Sequence, residues 1–87
     1  MLVTGYSLPV TLMSIEVAKV FAAGLTIALG VMLPALAIGF IGREAVRGIS
    51  RNPDASDKIQ LTALLLVAFA EALGIYALVV ALIIKFV

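Results

Sequence analysis

Apolar residues fill two long stretches of this chain, and formal charges mark where each stretch ends. Between Lys19 and Arg43 lie 23 residues without a charge. Between Lys58 and Lys85 lie 26 residues, and Glu71 alone among them is charged. As helices rising about 1.5 Å per residue, the stretches would measure roughly 35 and 39 Å. A bilayer's hydrocarbon core is about 30 Å thick, so both can span it. In lipid, only helices and closed barrels satisfy their own backbone groups. Runs this long and continuously apolar are not barrel strands. The pattern predicts an all-α fold, a hairpin of two transmembrane helices.

The remaining residues supply the boundaries. Gly5 and Pro9 interrupt residues 1–14, which are expected to form a short external segment. Helix 1 is expected over 15–50, with Ser14 as its N-cap and Glu16 in its first turn. Near its other end Glu44 and Arg47 stand three apart and can pair on one face. A polar loop follows at 51–54. Pro53 cannot continue the hydrogen bonds of helix 1, and it disfavours helical geometry at Asn52. It suits the first position of helix 2, expected over 55–86, with Asn52 as cap. Asp54 and Asp57 then lie at the positive end of that helix dipole, and Asp54 can pair with Lys58 four residues on. Pro34 sits mid-helix and is expected to bend helix 1.

Composition agrees with a lipid environment. Of 87 residues, 64% are apolar and 13% charged, too little charge for the surface of so small a soluble domain. Cysteine and histidine are both absent, which removes disulfides, thiolate and imidazole metal sites, and the usual acid/base of neutral pH. A net charge of +1 gives no reason to expect nucleic acid as a partner. No nucleophile–base pair or metal cluster supports an independent enzyme. Residues 1–15 hold no Lys or Arg, so a cleaved signal peptide is not expected. Arg43, Arg47, Arg51 and Lys58 all lie around the loop, against Lys19 and Lys85 at the far ends. The positive-inside rule places the loop in the cytoplasm and both termini outside.

Small residues recur along helix 1. Gly24, Ala28, Ala35, Gly39 and Gly42 fall near one stripe, and Ala35, Ala37 and Gly39 alternate. Small side chains let membrane helices approach closely, so this stripe suits tight packing between copies as well as a plain hairpin.

One residue carries chemistry. Glu71 is thirteenth of the 26 residues between Lys58 and Lys85, near the bilayer midplane. Insertion scales charge about 2.5–3.5 kcal/mol for other ionised side chains at that depth. The chain has no intramembrane Lys or Arg to pair with it. A carboxyl so placed works as a switch, neutral against lipid and ionised where water or a cation waits.

Arg51-Asn52-Pro53-Asp54 resembles the Arg-Gln-Pro-acid loop of the c-subunit family of F-type ATP synthases, the membrane rotor proteolipids, with Asn in place of Gln. Glu71 follows at the family's spacing from the loop arginine. Glu71-Ala72-Leu73-Gly74-Ile75-Tyr76 and Leu78–Leu82 resemble its outer helix, and the likeness spans about residues 20–86. The resemblance implies a ring of identical hairpins, helix 1 inside and helix 2 outside, in a bacterial inner membrane. The loop Arg51–Asp54 would touch the gamma and epsilon subunits of the central stalk. Glu71 would exchange a proton at the a-subunit, and rotation would drive ATP synthesis in the soluble head. No cofactor or metal is implied.

The chain also departs from the family's pattern. Val31, Leu33, Ala35, Ala37 and Gly39 occupy the stretch where alternating glycines are frequent. Ile38 and Ala72 stand where sodium-coupled members offer oxygen. Glu71, the Phe69 carbonyl of a neighbouring copy and the Tyr76 hydroxyl remain, which suits a proton better than sodium. A sodium-coupled rotor, a V-type proteolipid and a holin-like pore-forming hairpin are the alternatives. The last accounts for two helices but not for the loop or its spacing to Glu71.

Overall fold

The structure, a computed structural model, describes residues 7–87, with side chains from residue 14 onward. Two helices make up nearly all of it: α1, Ser7–Arg51, and α2, Ser56–Phe86. They lie against each other as a hairpin whose Cα atoms extend 73 Å along its axis and only 17 and 10 Å across. Both helices are long and apolar enough to cross a membrane.

The start of α1 differs from expectation. It begins at Ser7, so residues 7–14 are helical, while residues 1–6 of the expected external segment lie outside the described residues. Pro9 does not break the helix because it falls in the first turn, where a missing N–H has no intrahelical acceptor to disappoint. Ser14 and Glu16 therefore lie inside α1 and not at its cap or first turn. The helix also runs on through Pro34.

The turn is short and is closed mainly by the backbone. Asn52 N–H donates to the Gly48 carbonyl at 3.0 Å, and Ser50 Oγ donates to the Arg47 carbonyl at 3.2 Å. These bonds occupy carbonyls left over at the end of α1. Asn52 then takes extended geometry, φ −142°, as its place before proline requires. Pro53–Ala55 form a single 3₁₀ turn, with Ala55 N–H donating to the Asn52 carbonyl at 3.0 Å. The Asn52 side chain makes no capping bond, contrary to expectation, since the tight turn uses its backbone instead. Among the described residues the one ion pair is Arg47–Glu44 at 3.3 Å, both side chains exposed. Such a pair contributes at most about 1 kcal/mol. The expected Asp54–Lys58 pair does not form.

Helix contact follows a regular seam. On α2 the covered positions include Ala63, Ala70 and Ala77, then Val67, Gly74 and Ala81, each set spaced by seven. That is the spacing of a seam between two helices. On α1 the facing positions include Ala23, Gly30, Ala37, Ala45 and Gly48. Gly48 meets Ile59 and Gly74 meets Val31, while a Cβ added at Gly30 would overlap the Cβ of Ala77. Lys19 Nζ donates to the Val87 carbonyl at 3.2 Å, tying the open ends of the helices together.

Burial within one hairpin is slight. Only Ala23, Ala70 and Ala81 are buried among the described residues, while side chains as large as Phe21, Leu33, Phe69 and Tyr76 are about two-thirds exposed. The accessible surface is 6607 Å². A compact soluble chain of this mass would expose roughly 4,900 Å². So much bare apolar surface belongs against lipid or other protein.

Candidate ion-binding site

Glu71 lies in the middle of α2 on its exposed surface. Its position follows from helix geometry. At 3.6 residues per turn, Glu71 stands about 90° round from the seam defined by Ala63, Ala70 and Ala77. It is therefore on a flank of the hairpin, neither inside the seam nor on the outermost ridge. Among the described residues its carboxylate has no hydrogen-bond or ion-pair partner. Any group that holds or releases an ion with it must come from outside one hairpin.

The register of the two helices sets what shares that depth. Gly30 lies opposite Ala77, and Gly48 opposite Ile59. Carried inward, this antiparallel register puts Glu71 level with Leu36, within one turn of Pro34 and Ile38. Ile38 is half-buried and falls on the same flank as Glu71. Gly24, Ala28, Ala35 and Gly39 also belong to that flank and are exposed. A Cβ added to Gly24, Gly39 or Gly42 would meet nothing within 4 Å. That stripe is thus open, and the glycines are not there to admit α2. Ala37 separates from it and turns half-buried into the seam.

Phe69 and Tyr76 share the opposite flank, seven residues apart and 71% and 65% exposed. Within one hairpin they cannot reach Glu71, which lies about 140–160° round the same helix. Ala72 follows Glu71 on the outward side and is half-buried among its helical neighbours. On α1 the flank that carries the carboxylate is therefore lined by small residues and the other by bulky ones, while on α2 Leu64 and Leu78 share the stripe of Glu71. Leu29, Leu33, Leu36 and Phe40 of α1 stand with Phe69 and Tyr76 on the bulky side.

Arg51, Asn52, Pro53 and Asp54 are all exposed at the tip, more than 25 Å from Glu71 at about 1.5 Å per residue along α2. No group of three or more metal-ligating side chains exists among the described residues. The small residues of α2 that line the seam are not among those the stripe on α1 singles out. Their signal is present all the same in the sevenfold spacing of Ala63, Ala70 and Ala77.

A transmembrane hairpin with a bare tip and one carboxylate halfway along its second helix defines a small membrane proteolipid. The family model for the ATP synthase C-subunit matches residues 21–84. An ATP synthase c-subunit from Dehalococcoides mccartyi is 43% identical over 75 residues, covering 86% of this chain and 99% of that one. Another c-subunit, from Prochlorococcus marinus, is 51% identical over 69 residues, covering 79% and 85%. The chain belongs to the ATP synthase c-subunit family, non-catalytic membrane components of the ATP synthase complex.

Proposed function

We propose that identical copies of this chain close into a ring that carries protons on Glu71 and turns within the membrane. The observation that carries this reading is the lone carboxylate at mid-span, on a flank and without a partner in its own hairpin. In a ring each flank meets the opposite flank of the next copy. The bulky α1 residues of one hairpin then pack beside the small-residue stripe on α1 of its neighbour. Glu71 comes beside Phe69 and Tyr76 of that neighbour. The Phe69 carbonyl has a second lone pair beyond its helical bond, and can accept from a protonated Glu71.

Protonation lets Glu71 face lipid, because the neutral acid escapes the cost of a buried charge. At the a-subunit, water-filled access and a basic group favour the ionised form, so the proton leaves and another is taken up. Each proton moving downhill gains about 2.3 kcal/mol per 100 mV. The loop Arg51–Asp54, in the cytoplasm of a bacterial cell, passes the rotation to the gamma and epsilon subunits. Sodium, a hard cation, needs several oxygens. Ile38 and Ala72 supply none, so the site selects a proton.

Labelling of purified rings with a carboxyl-directed carbodiimide tests this. The reagent attacks the protonated acid, so labelling is expected at Glu71, falling as pH rises and indifferent to sodium. Protection by sodium at fixed pH would overturn proton selectivity. Labelling elsewhere would remove Glu71 from the site.

A further inference from the structure

We propose that adjacent copies lock together near the loop through the Gln60 amide of one and Glu44 and Thr62 of the next. The proposal rests on the ring reading above and specifies a contact within it. Two open grooves flank the seam where Ala45 lies by Ala63. One, of about 410 Å³, is lined by Phe40, Glu44, Thr62 and Leu66 among others. The other, of about 440 Å³, is lined by Gly42, Val46, Gln60 and Leu64 among others. Ala45 and Ala63 line both. The grooves therefore lie at the same level of the hairpin, on its two opposite flanks.

A ring about the membrane normal keeps every copy at one depth and joins unlike faces. It must bring the Gln60 groove of one copy against the Glu44–Thr62 groove of the next. The shapes suit each other. Gly42 leaves room on one side, where a Cβ would meet nothing within 4 Å, and Phe40 and Leu66 project on the other, 56% and 49% exposed. The polar groups suit each other as well. Gln60 offers two N–H donors and a carbonyl, Glu44 offers carboxylate oxygens and Thr62 offers a hydroxyl. Glu44 Oε1 accepts from Arg47 at 3.3 Å, which leaves Oε2 for a second donor. All three side chains are exposed in the lone hairpin and lose water when the flanks close. The match fixes neighbours against rotation about 16 Å along α2 from Glu71, and so sets how successive carboxylates are spaced.

The chain has no cysteine, so introduced thiols report alone. Complexes carrying Gln60→Cys with Thr62→Cys are oxidised in mild detergent and then denatured. A ladder of covalent multimers is expected from the pair, and monomers from either single variant. Dimers from Gln60→Cys alone would mean that like faces meet, and would overturn the proposal. Intact rings without a ladder would overturn the lock and leave the ring standing. Wild-type complexes without any ring would overturn both. A second measurement covers poor assembly of the cysteine pair. Gln60→Glu sets a carboxylate against Glu44 and is expected to lower the temperature at which the ring dissociates. Adding Glu44→Gln should restore it, and no change in either variant would overturn the contact.

Discussion

Replacing Glu71 by Gln is expected to stop proton-driven ATP synthesis while leaving the hairpin folded. The two side chains have nearly the same size and shape, and Glu71 makes no contact in its own hairpin that the amide would lose. What disappears is ionisation. Gln cannot release a proton to water or take one up, so a copy carrying it never leaves its neutral state. In the proposed ring every copy bears the change, so no site would remain to turn it. The expected loss in synthesis by reconstituted vesicles is at least about 100-fold, a barrier increase of roughly 2.7 kcal/mol or more. Glu71→Asp separates chemistry from position. It keeps the carboxyl but withdraws it by one methylene, and turnover should fall yet stay measurable. Wild-type synthesis by the Gln variant would show that the proton travels elsewhere.

Much of this architecture could be read from charge spacing. Two uncharged runs longer than the hydrocarbon core leave only helices as an answer, because lipid offers no partner for a free backbone. Glu71 stood out for the same reason, as the one ionisable group in its run. What escaped was local. Pro9 looked like a breaker because a proline is harmful in a helix interior and harmless in a first turn, and the sequence does not say which it occupies. Asn52 looked like a side-chain cap, but the proline after it imposes an extended backbone, and a 3₁₀ turn then closes through main-chain bonds. The small residues of α1 posed a harder question. A stripe shows where a helix can be approached closely, but not by what. Only the facing pattern on α2 separates Gly30 and Ala37, which meet the other helix, from Gly24 and Gly39, which stay open. Glu71's solitude was equally illegible, since it depends on the angle between its flank and that of Tyr76.

The separation of the glycines leads to a second large effect, at Gly30. Gly24, Gly39 and Gly42 have free space where a Cβ would go, so Ala at those positions should leave a single hairpin unharmed. In a helix interior the change should even help it by about 0.5–1 kcal/mol. Gly30 is the opposite case. A Cβ there would overlap the Cβ of Ala77, and the Ala77 Cα is only 3.7 Å from that point. Neither atom is the end of a flexible side chain, so the backbones themselves must part. Overpacking typically costs about 1–3 kcal/mol, and Gly30→Val should sit at or above the top of that range. The opening would fall about six residues, roughly 9 Å along α2, from the level of Glu71. Gly30→Val is expected to lower both the yield of folded protein in membranes and its resistance to protease. The decisive comparison moves the methyl across the seam. Gly30→Ala alone should destabilise, and adding Ala77→Gly should recover most of the loss, a coupling that independent sites would not show. Equal behaviour of Gly30→Ala with and without Ala77→Gly would mean that the helices do not meet there.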